Sequence, residues 1–230
     1  MVEYNVIVLA AGQGKRMKAG KNKQFIELLK EPLIIHTLRK FIQDNWCRHI
    51  YLVINPLERT EMEMLLTNYS WHKQVIVVHG GKERQESGYQ GLLAIKGDEQ
   101  QRVIMIHDGA RPFVEEQHLH ALAQAAKQEK AALLAVPVTD TIKRKSGCKM
   151  ETLDRSTLWA AQTPQAFDYN LIKNAHEKAI SCNFLGTDDV SLVEALEMPV
   201  EIVEGSYRNV KITTPEDIMR AEMILNQQEE

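Results

Sequence analysis

Five short apolar runs, separated by stretches of helical periodicity, constrain the fold of this chain more than any other feature. The runs lie at residues 4–10, 49–55, 74–79, 102–106 and 131–138 and are rich in Val, Ile, Leu and Ala. A strand with one wet face shows polar residues at every second position, so near-continuous apolar runs point to strands covered on both faces. Between the runs, residues 32–43, 57–69, 83–96 and 115–129 carry the spacing of helices. Strand–helix alternation of this kind builds βαβ units with right-handed crossovers, and hence an α/β fold with a doubly wound, mostly parallel sheet. A chain of 230 residues can bury roughly three quarters of its unfolded surface, enough for one such domain spanning 1–230.

One segment breaks the rhythm. "TDTIKRKSGCKMETLDRSTLWAAQTPQ", residues 139–165, holds two short alternating stretches around Lys145, Ser146 and Gly147. It reads as an inserted β-hairpin arm at about 139–163. A lone hairpin is unstable in water, so the arm implies a surface to pack on, a second subunit being one candidate. Helices are expected after it at about 168–180 and 187–196, and strands at 200–204 and 209–212. A last helix opens with "TTPED", which offers Thr214 as N-cap, Pro215 at the first helical position and acids in the first turn.

Composition removes several classes of function. A net charge of -3 is wrong for coating nucleic acid, although it leaves room for a local basic pocket. The three cysteines, Cys47, Cys148 and Cys182, form no CxxC and no zinc-finger spacing, which suits a reduced, cytoplasmic protein. "MVEYNVIVLA" carries Glu3 and no basic n-region, so it reads as a first strand rather than a signal peptide. No apolar stretch approaches the roughly 20 residues of a membrane span.

Four constellations carry the chemistry. The first strand runs into "AAGQGKRMKAGKNK", where Gly12 and Gly14 let backbone N–H groups approach an anion and five basic residues follow between Lys15 and Lys23 without an acid. The third glycine of a dinucleotide loop is missing, as is the G-K-[ST] of a P-loop. Arg16 and Lys23 therefore suggest a polyphosphate; the alternative is a glycine turn with solvated lysines. In "HGGKERQESGYQGL", Gly80 and Gly81 follow a strand at the edge where ligands of open α/β sheets bind. Arg84 and Ser87 come one turn apart on the helix behind them, and a nucleobase could be read by backbone near the glycines and by the Ser87 hydroxyl. In "VIMIHDGARPF", Asp108 ends a buried strand, a good position for a carboxylate ligand to a hard cation that carries phosphates; an N-cap aspartate is the plainer reading. His107 beside it faces the other way by alternation and reads as structural. The fourth set is scattered: Thr141, Lys143 and Arg155 on the arm, Thr163 after it, Thr187 with Asp188, and Lys211. Lys211 sits within an expected strand, and a buried lysine needs a counter-anion.

Together these residues resemble a known family. "LAAGQGKRM…KQF" is similar to the opening signature of sugar and polyol nucleotidyltransferases. "GGKERQES", "HDGARPF", "PVTDTIKR", "LDRSTLWAAQTPQAF", "GTDD" and "VKITTPED" resemble, in order, the 2-C-methyl-D-erythritol 4-phosphate cytidylyltransferases of the non-mevalonate isoprenoid pathway. The resemblance implies a Rossmann-like nucleotidyltransferase sheet, CTP and a polyol phosphate as substrates, Mg²⁺ as cofactor, and a homodimer joined through the arm. It implies that Arg16 and Lys23 hold the triphosphate, with Lys211 facing the reacting phosphates, and that Asp108 binds the metal. Ala10, Ala11 and Gly81 with Ser87 would read cytosine, supported by Arg84 and Arg111. Thr141 and Arg155 of a neighbouring arm would bind the acceptor, with Thr163 and Thr187 counted in the same site. Lys82 and Arg208 depart from the family pattern, in which acids are common at those places. Ribitol 5-phosphate cytidylyltransferase, or a non-catalytic nucleotide binder of the same fold, are the alternatives.

Overall fold

The computed structural model describes residues 1–12 and 22–227. Among them, the five apolar runs form β1 (Tyr4–Leu9), β4 (Cys47–Ile54), β5 (Val75–His79), β6 (Val103–Asp108) and β7 (Ala131–Pro137). With β10 (Trp159–Phe167) and β11 (Glu201–Glu204) they make a seven-stranded sheet in the order β11-β7-β10-β6-β1-β4-β5. β6, β1, β4 and β5 are parallel to one another, and β11 is parallel to β7. β10 runs antiparallel to both β6 and β7. A two-residue pair, β2 (Glu27–Leu28) with β3 (Glu31–Pro32), lies outside this sheet.

The helices are α1 (Leu33–Ile42), α2 (Arg59–Thr67), α3 (Arg84–Ala94), α4 (Glu116–Glu129), α5 (Tyr169–Ser181), α6 (Asp189–Glu194) and α7 (Pro215–Asn226). Strand alternation divides the core between the two faces. Val6 and Val8 of β1 pack with Ile34, Leu38, Met62 and Leu122 from α1, α2 and α4. Ile7 and Leu9 pack with Leu92, Ile172 and Val193 from α3, α5 and α6. Burying each such aliphatic side chain contributes about 1.5–3 kcal/mol, which is why the continuous runs demand helices on both sides. Gly91 lets α3 approach the sheet: a Cβ there would stand 2.4 Å from Ile7 Cγ2. A third cluster, including Leu28, Phe113, Ile212 and Ile224, packs α7 and the segment before it.

Two expectations need correction. The hairpin exists as β8 (Lys143–Ser146) and β9 (Lys149–Thr152), exposed throughout, with Gly147 at φ +58 in its turn. Residues 159–163, however, belong to the main sheet as the start of β10 rather than to the arm. Small residues and Pro164 disguised that strand, since proline inside a sheet is confined to edges and bulges. The ladder accommodates it with a register shift between Ala161 and Gln165. The second correction concerns residues 209–212, which form no strand. Ile212 instead donates its N–H to Ala110 O at 2.9 Å, which places Lys211 beside the end of β6.

Candidate active site

β1 and β6 are neighbours, but the chain leaves β1 toward β4 on one side and leaves β6 toward β7 on the other, so a crevice opens beyond the carboxyl ends of these strands. The cavity there measures about 300 Å³ and is lined by Ala11, Gly12, Lys23, Gly81, Arg84, Ser87, Asp108 and Lys211, among others. The loops close tightly around it. A Cβ on Gly80 would lie 2.6 Å from Ala11 Cβ and 2.9 Å from Ser87 Oγ, so only glycine lets these two loops meet.

Asp108 is the electrostatic centre. Its Oδ2 lies 2.6 Å from Lys211 Nζ and its Oδ1 lies 3.3 Å from Arg84 Nε. Burial alone would raise this carboxyl, but the charges of Arg84 and Lys211 outweigh it and hold the group well below the usual carboxylate range. Asp108 is therefore ionised at any working pH. Lys211 has found the counter-anion its sequence position called for.

Arg84 opens α3 and is shared between two acids, with Nη1 at 2.7 Å from buried Asp189 Oδ2. Burial would lower the guanidinium, and Asp189 and Asp108 more than offset that, so it stays charged. Its buried Nη2 has no hydrogen-bond partner. Burial also lowers Arg111, against the pull of Asp108; Arg111 Nη1 donates to Asn209 O at 2.7 Å. That bond fixes the segment leading to Lys211. Ser87 Oγ accepts from Gly81 N at 3.1 Å and donates to Glu83 O at 3.0 Å, so its hydroxyl shapes the glycine loop. Lys82 lines the same cavity.

Behind the carboxylate lies a second layer. Thr163 Oγ1 accepts the Asp108 N–H at 3.0 Å and lies 3.2 Å from His107 Nδ1, while His107 Nε2 is 2.9 Å from Arg111 O. The donor count assigns the tautomer: Nε2–H donates to the Arg111 carbonyl, and Nδ1 accepts from the threonine hydroxyl. Burial pushes the His107 pKa down to about 4. His107 is thus a neutral structural group, as its alternation from Asp108 implied.

A family model for 2-C-methyl-D-erythritol 4-phosphate cytidylyltransferase matches residues 4–227. The chain belongs to the 2-C-methyl-D-erythritol 4-phosphate cytidylyltransferase family. Relatives of that description from Geobacillus thermodenitrificans and Halalkalibacterium halodurans are 57% and 53% identical over 225 and 229 residues, covering 97% and 99% of each chain. The fold superposes on a crystal structure of 4-diphosphocytidyl-2C-methyl-D-erythritol synthase from Anaerococcus prevotii with TM-score 0.86 at 31% identity, covering 98% of this chain and 96% of that one. It also matches the Francisella tularensis cytidylyltransferase with TM-score 0.82 at 29% identity, covering 96% and 99%.

Within this cytidylyltransferase fold the expected site residues separate into groups. Ala11, Gly12, Lys23, Gly81, Arg84, Ser87, Asp108 and Lys211 meet at one cavity. Ala10 is buried beneath it and donates its N–H to Val53 O at 2.7 Å. Thr163 is 4% exposed and accepts the Asp108 backbone N–H, so it fixes the main chain that carries the carboxylate. Thr141 and Arg155 are exposed on the arm and do not line the cavity; Arg155 Nη1 donates to Thr139 O at 2.8 Å. Thr187 lines a separate groove with Trp159 and Ile202. Gly14 and Arg16 lie outside the described residues. Sequence reasoning missed Asp189 and Asn209. Asp189 is the second acid of "GTDD", whose first, Asp188, caps α6. Asn209 Nδ2 donates to Gln162 Oε1 and Thr163 O at 3.1 and 3.0 Å, tying the Lys211 segment to β10.

Proposed function

We propose that this chain transfers CMP from CTP to the phosphate of 2-C-methyl-D-erythritol 4-phosphate, giving 4-diphosphocytidyl-2-C-methyl-D-erythritol and pyrophosphate. The observation that carries this reading is the charge of the cleft: Lys23, Lys82, Arg84 and Lys211 line it against two acids, Asp108 and Glu83, with Asp108 bound to Arg84 and Lys211, and among the described residues neither Cys nor His lines it. That set suits a reaction between two strongly negative groups. The acceptor is a phosphate monoester whose second pKa is near ~6, so at neutral pH it is already largely a dianion and needs no general base. One of its oxygens forms a bond to the α-phosphorus while the α–β bridging bond breaks and its electron pair leaves with pyrophosphate. The protein's task is to hold both groups in line and neutralise their charge. Lys23 and Lys211, with Arg16 from the same opening loop, are assigned to the phosphates. Arg84 and the Gly81 loop are assigned to the nucleoside end.

The site fits a magnesium ion. Asp108 offers one hard, ionised oxygen ligand facing the cleft, and magnesium typically takes one or two carboxylates and completes its shell with phosphate and water. When bound, it would further neutralise the triphosphate oxygens. Lys211 Nζ holds Oδ2 in this structure, so the lysine and the carboxylate that would hold the cation stand side by side at the cleft.

The acceptor end is assigned to the arm of a second copy. β8 and β9 are exposed along their length, and Ile142, Met150 and Trp159 are exposed apolar side chains on or beside them. A homodimer would cover this surface and carry Thr141 and Arg155 to the partner's cleft. No helix among the described residues is long and apolar enough to cross a membrane, and we place the reaction in the cytoplasm, where CTP is available. Phosphorus NMR of the protein with CTP, Mg²⁺ and methylerythritol 4-phosphate tests the chemistry. The monoester signal should give way to a diphosphate diester and free pyrophosphate in equal amounts. Inorganic phosphate with CDP or CMP as the products would contradict the transfer.

A further inference from the structure

We propose a second metal site, for a zinc-class divalent cation, formed by Asp44, Glu116 and His120. None of these residues lines the catalytic cleft. Asp44 sits in the turn between α1 and β4, next to Tyr4 at the opposite end of β1 from the cleft-lining Leu9. Glu116 and His120 stand four residues apart on α4 and so share one helix face.

The spacing fits a small tetrahedral ion. His120 Nε2 is 3.0 Å from Asp44 Oδ1 and 3.7 Å from Glu116 Oε1, and one ligand atom from each residue lies within 4.8 Å of the others. Zinc bonds of 2.0–2.2 Å to nitrogen and oxygen place neighbouring ligand atoms roughly 3.4 Å apart in a tetrahedron. These two distances bracket that value, and the Asp44–Glu116 pair, within 4.8 Å, would close by at most about 1.4 Å through rotation of the exposed Glu116 side chain. An imidazole with two carboxylates suits zinc and its transition-metal neighbours better than magnesium, whose shell is all oxygen. Water would fill the fourth position on the side where Glu116 is exposed.

The surroundings hold the first ligands in place. Asp44 is 3% exposed, with Oδ2 accepting from Tyr4 OH at 2.6 Å and Oδ1 from Trp46 N at 2.8 Å. One lone pair on Oδ1 is thus used by the backbone, and the other faces His120. The Trp46 ring stacks on the His120 imidazole with centroids 3.8 Å apart and planes 11° from parallel. Outer contacts of this kind fix ligand orientation in metal sites and change affinity when removed. Without metal, the His120 Nε2–H donates to Asp44; with metal, the proton leaves Nε2 and its lone pair binds the ion. A bound ion would pin α4 to the α1–β4 turn.

The test uses the full chain without a tag and freed of metal, titrated with zinc chloride in a calorimeter in the absence of nucleotide. Two variants accompany it. Glu116→Gln alters an exposed side chain, and His120→Phe keeps a ring on Trp46 without a ligand nitrogen. The wild type should bind one zinc per chain with micromolar affinity, bind at least about tenfold more weakly in Glu116→Gln, and lose the site in His120→Phe. Cobalt should give the visible spectrum of a tetrahedral site only where His120 is intact, and magnesium-dependent turnover should be unchanged in both variants. Equal zinc binding by all three proteins, or none in the wild type below millimolar concentration, would overturn the proposal and leave a hydrogen-bonded histidine–carboxylate pair.

Discussion

Replacing Lys211 with Met removes one cation from the cleft and keeps a long side chain. Nζ stands 2.6 Å from Asp108 Oδ2, a hydrogen bond between charged groups that contributes about 1.5–3 kcal/mol where water cannot substitute. Water can substitute in part here, because the lysine side chain is 35% exposed. Asp108 also keeps Arg84 at 3.3 Å on its other oxygen, so it remains ionised. The stability loss should therefore be about 1–2 kcal/mol, or a fall in melting temperature of about 2–8 °C for a chain this size. Turnover should suffer far more. Removing one preorganised charge-stabilising donor costs about 100- to 1,000-fold in rate, and Lys211 is assigned to that role. The assay is continuous pyrophosphate release at saturating CTP and acceptor, run beside a thermal melt. A folded Lys211→Met protein with turnover within about tenfold of wild type would refute the role. A Lys211→Arg protein should be only partly restored, because a planar fork does not replace a compact ammonium.

Two further outcomes follow from the neighbouring residues. His107 is held neutral, with its pKa lowered from 6.5 to about 4, so the unfolded chain takes up a proton below pH 6.5 that the folded chain refuses until about pH 4. Stability tied to His107 is complete above pH 6.5 and lost as the pH falls through that window, at about 1.4 kcal/mol per unit. Urea denaturation at pH 7 and pH 5 should show wild type losing about 2 kcal/mol more than His107→Gln, and equal losses would contradict the assignment. If the arm acts across subunits, an Arg155→Ala chain and a Lys23→Ala chain, each nearly inactive alone, should recover activity on mixing, since one site of each heterodimer is intact. Verified subunit exchange without recovery would refute sharing.

Much of the fold was legible because burial writes itself into periodicity. β1, β4, β6 and β7 are covered on both faces, and their runs of Val, Ile and Leu admit few alternatives. β10 was not legible, because Pro164 and the small residues before it carry no such pattern, and its place depends on β6 and β7, which lie distant in the chain. The cleft was legible where a strand ends and the next residues carry its chemistry: Gly12 after β1, Gly81 after β5 and Asp108 at the end of β6. Lys211 was found for a sound reason, a charge within an apolar pattern, although the strand expected around it does not form. Thr163 shows the limit. Its type suits a substrate contact, but whether its hydroxyl faces a ligand or the backbone of Asp108 is decided by packing. Asp189 is similar, since its partner Arg84 comes from a helix on the far side of the sequence.

The most direct measurement is pyrophosphate release from CTP and Mg²⁺ with methylerythritol 4-phosphate and ribitol 5-phosphate as parallel acceptors. Turnover with methylerythritol 4-phosphate and little with ribitol 5-phosphate is the predicted result. Turnover with ribitol 5-phosphate alone would contradict the acceptor assignment while keeping the nucleotide site, and no turnover with either, from folded protein, would contradict the transfer itself.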